Sequence, residues 1–356
     1  MSLENLYQKI RSQERLTLQE GLRLYLDAPW PILGQLAAER RSQRLGGDWA
    51  SYTLFRIINY TNQCEIDCAF CSFKRHASDP GVYVMDEAEV LQKTAEAAAQ
   101  GVKQIFLQGG VHPDLPLDYY LGLLRAIKRE FGFHVRGFSP VEIRHFARLS
   151  GLGLADCIVR LKEAGLDSVP GAGAEILSER VRQSLSPKKC SPQEWMQILA
   201  ECHKQGLRGS ANIVVGSIET PLEVVEHLEL VRQLQDQTQG LDSFIPWTFQ
   251  PQTKDFTLRQ VPPQDYLKLL SLARLYLDNI PHIEVSVMVL GPQIGQLALQ
   301  LGANDISSPV FEEKVLRNRG ITGEEQAKSL IQGAGLRPLL RDFNYRFAAS
   351  EEAETR

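Results

Sequence analysis

Three cysteines, Cys64, Cys68 and Cys71, lie within eight residues of one another in the pattern C-x3-C-x2-C, with Phe70 directly before the last. Thiolates this close together can bind one compact metal centre without a ligand from a distant loop. A cubane iron–sulfur cluster normally takes one cysteine on each of its four irons, so three cysteines leave one iron open to another ligand. The spacing therefore predicts a reactive, ligand-binding [4Fe–4S] cluster rather than a simple electron carrier.

Two other interpretations of these cysteines stay open. His76 lies five residues beyond Cys71 and could complete a Cys3His zinc site, which iron and sulfide analysis would distinguish from a cluster. The three thiols could also have no ligand, although three within eight residues are rare by chance. The remaining cysteines are scattered along the chain, and we expect them to be reduced, inert thiols: Cys157, Cys190 and Cys202.

The composition of the 356-residue chain, with 43% hydrophobic and 23% charged residues, is typical of a globular protein with a sizeable core. Thirty-nine Lys and Arg against 43 Asp and Glu give a net charge of −4, which argues against nucleic acid as a partner. The sequence contains no run of about 18 apolar residues that would span a bilayer, and its first residues lack the apolar core of a signal peptide. We therefore expect a cytoplasmic protein without a membrane partner.

Short apolar runs alternate with longer amphipathic ones after the first 50 residues, which are predicted to be helical. The predicted strands are 54–60, 104–108, 133–138, 166–170, 210–216, 243–249, 283–290 and 302–307. Eight strand–helix repeats are typical of a (β/α)8 barrel, a TIM-type α/β fold, although periodicity alone leaves an open doubly wound sheet possible. The predicted division is an N-terminal helical segment packed on the barrel (1–50), the barrel core (51–310) and a C-terminal helical extension (311–356).

Polar and glycine residues follow most of the predicted strands. In both architectures the carboxyl ends of the strands carry the chemistry, so this clustering indicates an enzyme. The residues concerned are the three cysteines, Gln108, Gly109, Gly110, Ser139, Glu142, Glu175, Gly216, Glu219, Trp247, Gln250, Asn304 and Asp305.

The C-x3-C-x2-C motif, with an aromatic residue before its third cysteine and a β/α-barrel strand before it, resembles that of the radical S-adenosylmethionine (SAM) enzymes. By this resemblance, Cys64, Cys68 and Cys71 hold a [4Fe–4S] cluster whose open iron is chelated by the amino and carboxylate groups of SAM. The reduced cluster would then cleave SAM to methionine and a 5′-deoxyadenosyl radical. The cofactors carry this chemistry, and the barrel positions them and excludes water.

The resemblance extends along most of the chain through segments such as QGGVHPDLPLDYYLGLLRAIK, GFSPVEI, LDSVPGAGAEIL and LGAND. These are similar to the radical SAM enzymes of the futalosine route to menaquinone. The resemblance implies cyclisation of dehypoxanthine futalosine: a ribose hydrogen is abstracted, and the sugar radical adds to the aromatic ring. It also implies a flavodoxin- or ferredoxin-type reductant. The alternatives are an aminofutalosine synthase or F420-synthase-like enzyme and, in another class, a non-catalytic iron–sulfur or zinc protein.

The resemblance also implies two sets of binding residues, although no residue is assigned to the final proton transfer. The set expected around SAM is Gln108, Gly109, Gly110, Glu175, Gly216 and Glu219. The set expected around the substrate is His112, Ser139, Trp247, Gln250, Asn304 and Asp305. The competing interpretations are strand-ending turns for the glycines, helix-terminus partners for the glutamates and core packing for the aromatic residues.

Overall fold

The computed structural model describes residues 2–250, 260–311 and 323–347. Within these ranges, eight parallel strands form a closed barrel, since β1 pairs with both β2 and β8. The strands are β1 (Trp49–Ile58), β2 (Gln104–Leu107), β3 (His134–Gly137), β4 (Ser168–Val169), β5 (Arg208–Val215), β6 (Leu241–Thr248), β7 (His282–Val285) and β8 (Asp305–Phe311). The (β/α)8 prediction is therefore confirmed, and the open-sheet alternative is wrong.

Helices precede, connect and follow the strands. They are α1 (Leu3–Arg11), α2 (Leu18–Asp27), α3 (Trp30–Leu45), α4 (Glu87–Ala98), α5 (Leu117–Phe131), α6 (Pro140–Ser150), α7 (Leu154–Ala164), α8 (Glu179–Leu185), α9 (Pro192–Lys204), α10 (Pro221–Thr238), α11 (Pro263–Tyr276), α12 (Val287–Leu290), α13 (Pro292–Gln300) and α14 (Glu324–Gly333). None of these helices is both long and apolar enough to cross a membrane.

Local sequence explains where the connecting helices begin. Asp86, Ser139, Ser191 and Thr220 each form a capping box with a glutamate three residues later. A cap of this kind contributes about 1 kcal/mol because it satisfies backbone N–H groups that have no partner within the helix. The N-terminal helices pack on the outside of the barrel, α2 against α10 and α3 against α11.

Two predicted strands differ from the observed elements. The apolar run 283–290 is a strand only to Val285, and its second half forms α12. A short, continuously apolar run is compatible with a buried strand or with a buried helix, so periodicity cannot distinguish the two. The run 302–307 covers only the start of β8 and the residues before it, since β8 extends from Asp305 to Phe311. Asn304 and Asp305 therefore lie at the amino-terminal end of the barrel, and their predicted place among the residues that follow the strands is wrong.

The C-terminal part of the chain closes this amino-terminal end of the barrel. Strand β9 (Arg337–Leu340), which the sequence analysis did not predict, pairs with the first half of β1. The following segment then reaches the barrel interior, where Arg341 donates two hydrogen bonds to Asp305, one of them 2.6 Å long. The Tyr345 hydroxyl donates to Glu284 at 2.8 Å. The predicted division at residues 50 and 310 stays a prediction, and much of 311–356 lies outside the described residues.

The buried pair of Asp305 and Arg341 generates a prediction about stability. Asp305→Asn should lower the free energy of unfolding by about 3–5 kcal/mol, because it removes the only carboxylate that the buried Arg341 guanidinium is hydrogen-bonded to among the described residues. The double variant Asp305→Asn/Arg341→Met should lose less than the sum of the two single variants. Urea unfolding measures these differences.

The control is the exposed pair of Arg15 and Asp236, whose side chains are 45% and 41% exposed. Arg15→Gln should cost less than about 1 kcal/mol, because solvent screens exposed charges. An Asp305→Asn variant as stable as the wild type would contradict this structural role.

Candidate functional site

A cavity of about 440 Å³ lies at the carboxyl ends of the barrel strands. Its walls come from the ends of the strands, from the loops that follow them and from the inward-facing residues below. Of the residues singled out from the sequence, the cavity is lined by Cys64, Cys68, Cys71, Gln108, Gly109, Gly110, Ser139, Glu175, Trp247 and Gln250. The fold therefore brings together residues that are up to 186 positions apart in the chain (250 − 64).

The loop that carries the three cysteines connects β1 with α4 and is held by backbone hydrogen bonds to its neighbours. The Cys64 N–H donates to the Arg75 carbonyl at 3.1 Å, which closes the loop on itself. The Ala69 N–H donates to the Leu185 carbonyl at 2.9 Å, which ties the loop to the end of α8. The thiols are therefore held at the cavity wall, Cys68 buried and the other two half-buried.

The electrostatic setting of the thiols combines burial with nearby cations, Lys189 and Lys74. Burial raises the pKa of Cys64 and raises that of Cys68 to about 11, while the charge of Lys189 acts against the shift at Cys68. Lys189 donates to Glu175 at 2.8 Å, and its ammonium lies 5.3 Å from the centre of the Phe70 ring. Since metal-bound cysteines are thiolates, a buried ammonium beside them stabilises the ligand form.

The arrangement of these groups fits an iron–sulfur cluster better than a single zinc ion. In the part of the chain that the structure describes, no three His, Cys, Asp or Glu side chains are grouped so that they could hold one metal ion. The His76 imidazole, the proposed fourth zinc ligand, is largely exposed and lies 3.8 Å from Asp67. A cubane needs one thiolate on each of three irons rather than several on one ion, and three thiols that line the same cavity can supply them.

The turn at Gln108-Gly109-Gly110 packs so closely against the cysteine loop that it excludes any side chain. A Cβ on Gly110 would lie 2.2 Å from the Gln63 carbonyl oxygen and 3.1 Å from the Cβ of Cys64. A Cβ on Gly109 would lie 2.5 Å from the Tyr60 ring. Close packing against the Tyr60 ring and the Gln63 backbone is therefore sufficient to explain why both positions are glycine. Their expected contact with SAM stays a prediction.

Glu142, which the sequence places after the third strand but to which no role was assigned, connects several parts of the site. This buried carboxylate lines the cavity and accepts hydrogen bonds from the Ser139 N–H at 2.7 Å, from the Ser139 hydroxyl at 2.6 Å and from the Tyr60 hydroxyl. Burial raises its pKa, and these hydrogen bonds act in the opposite direction. The capping-box pattern S-x-x-E directly after β3 was the signal that could have identified it.

Glu175 lies at the cavity wall in an unusual backbone conformation. Its φ angle of 43° is in the left-handed region, and one carboxylate oxygen accepts from Lys189 while the other has no hydrogen-bond partner among the described residues. The competing interpretation of Glu175 as a helix-terminus partner is wrong, since α8 begins only at Glu179. Its expected contact with SAM stays a prediction, and its carboxylate faces the cavity that such a ligand requires.

The remaining predicted residues do not line the cavity. Glu219 accepts hydrogen bonds from the Gly216 and Ser217 N–H groups, so it closes the turn after β5. The Nδ1 atom of His112 accepts from the Asp114 and Leu115 N–H groups. At the other end of the barrel, Asn304 accepts from Arg274, and Asp305 accepts from Arg341.

Aromatic side chains form one wall of the cavity. Trp247 and Phe249 at the end of β6 line it, and the Phe249 ring meets Phe70 of the cysteine loop edge to face, with ring centres 4.9 Å apart. The Gln250 side chain donates to the Thr248 carbonyl at 3.3 Å. A flat apolar wall beside three thiols can bind an organic substrate next to a reactive metal centre.

Comparisons with known proteins agree with this geometry. Residues 58–231 match the family model of the radical SAM superfamily, and the chain belongs to that superfamily. Residues 238–354 match the CofH/MqnC C-terminal region. The barrel is similar to the FeFe-hydrogenase maturase HydG of Carboxydothermus hydrogenoformans (TM-score 0.74, 17% identity, 96% of this chain and 80% of that chain covered), which shows the fold alone. Enzymes of this superfamily use a [4Fe–4S] cluster and SAM.

Within the superfamily, the chain is similar over nearly its whole length to enzymes of futalosine metabolism. It is 35% identical to a cyclic dehypoxanthine futalosine synthase of Halalkalibacterium halodurans over 97% of this chain and 95% of that protein. It is 38% identical to the Streptomyces coelicolor enzyme of the same name, with 93% and 85% covered. An aminodeoxyfutalosine synthase of Thermus thermophilus is 35% identical, with 95% and 94% covered.

The contact of Gly110 with the cysteine loop generates a prediction about cluster assembly. Gly110→Ala should push the Gln63 carbonyl and Cys64 away from their positions, because the new methyl group overlaps them. After anaerobic reconstitution, this variant should contain clearly less iron and sulfide per chain than the wild type. Colorimetric iron and sulfide analysis measures the difference.

Gly122→Ala is the matched control, since Gly122 lies within α5 and a Cβ there would meet nothing within 4 Å. It should keep the full iron content and stabilise the protein by about 0.5–1 kcal/mol, because alanine favours the helix. Full cluster loading in Gly110→Ala would refute the proposed packing constraint.

Proposed function

We propose that this protein cyclises dehypoxanthine futalosine to cyclic dehypoxanthinyl futalosine in menaquinone biosynthesis. The observation that carries the proposal is the similarity, at 35–38% identity and over most of the chain, to two proteins named for that activity. The cavity supports it, since three thiols, buried charged groups and an aromatic wall surround one space at the carboxyl ends of the strands.

In this proposal, Cys64, Cys68 and Cys71 hold the [4Fe–4S] cluster, and SAM binds beside it. When bound and reduced, these cofactors supply a 5′-deoxyadenosyl radical that takes a hydrogen atom from the substrate ribose. The Lys189 ammonium, which donates a hydrogen bond to Glu175, partly compensates the negative charge of the thiolates. Glu175 lines the cavity, and its second carboxylate oxygen lies 3.9 Å from the Arg182 guanidinium without a hydrogen bond, so it could accept one from a ligand after a small movement.

The chain's own contribution to the reaction is to orient the substrate and to exclude water. Trp247 and Phe106 line the cavity with flat surfaces, against which an aromatic ring of the substrate can pack. A radical formed in such an enclosed space meets the intended acceptor before it meets solvent. Glu142 and Ser139 fix the turn that carries Gly109, which keeps the wall on the SAM side rigid.

Three further parts of the proposal concern the setting of the enzyme. Its partner is a small futalosine derivative, with no nucleic acid and no membrane involved. Electrons come from a flavodoxin- or ferredoxin-type reductant, since the cluster must be reduced before SAM is cleaved. The enzyme works in the cytoplasm. Support comes from the net charge of −4 and from described helices that are too short or too polar to cross a membrane.

The second candidate is aminofutalosine synthase activity. The observation that favours it is the 35% identity to the Thermus thermophilus aminodeoxyfutalosine synthase, which is as high as that to one of the two cyclases. In that reaction the radical adds to an enolpyruvyl alkene, and the adenosyl skeleton stays in the product. The two candidates share the fold and the cysteine loop, so the fate of the adenosyl group distinguishes them.

The cysteine assignment predicts a sharp division between two groups of variants. Wild-type protein reconstituted anaerobically should contain about four irons and four sulfides per chain. Replacing Cys64, Cys68 or Cys71 by Ala should abolish turnover and cluster binding. Cys157→Ala and Cys202→Ala should keep both, because these thiols are buried in α7 and α9, away from the cavity. Stoichiometric zinc without iron in anaerobically handled protein would refute the assignment.

The proposed reaction is tested by isotope transfer. With dehypoxanthine futalosine deuterated on the ribose, the reconstituted enzyme should release deuterated 5′-deoxyadenosine, because a cyclase only removes hydrogen from the sugar. SAM labelled in the adenosyl group should leave no label in the cyclised product. Mass spectrometry measures both. Adenosyl label in the main product would instead establish the aminofutalosine synthase reaction.

A further inference from the structure

The lower wall of the cavity contains a buried cation whose hydrogen-bonding groups are not used. Arg136, on β3, lines the cavity and is 6% exposed. Its Nε and one Nη nitrogen are buried, and neither has a hydrogen-bond partner among the described residues. Other buried arginines differ: Arg182 donates to the Cys190 carbonyl, and Arg341 donates to Asp305.

This arrangement is unfavourable unless the cavity supplies an acceptor. A guanidinium carries five N–H donors and stays charged in proteins. Removing it from water without hydrogen bonds costs several kcal/mol. Burial lowers the pKa of Arg136, and the charge of Glu284 acts in the opposite direction. A charged guanidinium that is kept at a cavity wall under these conditions points to a ligand that supplies the missing hydrogen-bond acceptors.

Glu284 is the carboxylate with the largest electrostatic effect on Arg136, but it makes no hydrogen bond to Arg136, and its second oxygen has no hydrogen-bond partner among the described residues. Glu284 accepts hydrogen bonds from the Ser243 and Tyr345 hydroxyl groups, and it lies 3.7 Å from the Arg341 guanidinium. Glu284 is not among the residues that line the cavity, whereas Arg136 is. Arg136 is thus incompletely paired within the protein, and the part of its side chain that lines the cavity is where a bound group would meet it.

The surfaces next to Arg136 are apolar and aromatic. Phe106 is its register partner on β2, and Phe55 of β1 packs against Phe106, with ring centres 6.2 Å apart. The Phe343 ring lies 5.0 Å from the Arg136 guanidinium carbon. Phe55 and Phe106 line the cavity together with Arg136. The site therefore combines a cation with a slot for a flat apolar group.

We propose that Arg136 binds a carboxylate that is attached to a flat, apolar part of the substrate, and so selects substrates that carry this anion. A planar guanidinium matches a carboxylate through two parallel hydrogen bonds, and the phenylalanine rings pack against the attached flat group. Arg136 is a binding residue in this proposal and takes no part in the radical chemistry. The proposal rests on the proposed function only for the identity of the whole substrate.

The first experiment measures steady-state kinetics with dehypoxanthine futalosine and the cluster-loaded full chain. Arg136→Gln should raise KM by about 10- to 100-fold, the loss expected for charge-assisted hydrogen bonds, with a much smaller change in kcat. Arg136→Lys should lie between the wild type and Arg136→Gln, because it keeps the charge but loses the paired geometry. An unchanged KM in Arg136→Gln would overturn the proposal.

The second experiment does not depend on turnover. Calorimetric titration of the cluster-loaded chain should show that benzoate binds more tightly than its neutral analogue benzamide. Arg136→Gln should remove this preference, and Arg136→Lys should keep part of it. If the wild type prefers benzoate but does not convert dehypoxanthine futalosine, the proposed function fails and the carboxylate site stands. If benzoate has no advantage over benzamide, the carboxylate site fails whatever the turnover shows.

A third set of variants tests whether Arg136 merely neutralises Glu284. In that case Glu284→Gln would restore a normal KM and the benzoate preference to an Arg136→Gln chain, and the proposal would be overturned. We expect the double variant Arg136→Gln/Glu284→Gln to keep the raised KM and to lack the benzoate preference. Iron content and urea unfolding identify any variant that fails to fold, in which case Arg136→Lys supplies the comparison.

Discussion

The close approach of Gly110 to the Gln63 carbonyl is the contact on which the candidate site depends. The cysteine loop has little regular secondary structure, so its shape is set by what it packs against. That neighbour is the turn after β2, which can approach only because Gly109 and Gly110 lack side chains. The turn is held in its own position by Glu142, which binds Gly109, Tyr60 and the start of α6. Thiol geometry thus follows from backbone packing before any metal is bound.

Much of the barrel could be predicted from the sequence because its strands are short apolar runs separated by well-capped helices. The cysteine loop could be predicted too, since three thiols at that spacing have few other uses. β9 could not, because RPLL is too short and too ordinary to indicate a strand that forms only by pairing with β1. Asn304 and Asp305 were placed at the wrong end of the barrel because composition does not show which end of an apolar run they occupy.

The roles that the structure gives to Glu142 and Arg136 illustrate why sequence reasoning stops short of the site. Each is a charged residue in or next to a strand, and its importance depends on which partners it finds in three dimensions. The Glu142 carboxylate accepts hydrogen bonds from four donor groups, which belong to Tyr60, Gly109 and Ser139, and so links three segments of the site. Arg136 finds none among the described residues and is left facing the cavity. The sequence contains both residues but not this difference between them.

The pairing of β1 with both β8 and β9 has a consequence for how the chain folds during synthesis. The first half of β1 borders Asp305 and its neighbours on one side and Arg337–Leu340 on the other. During synthesis on the ribosome, the side of β1 that pairs with β9 stays unpaired until nearly 300 further residues have been made. An unpaired strand edge invites association with other chains, and contacts so distant in sequence form slowly. The earliest strand of the barrel is therefore among the last to be completed.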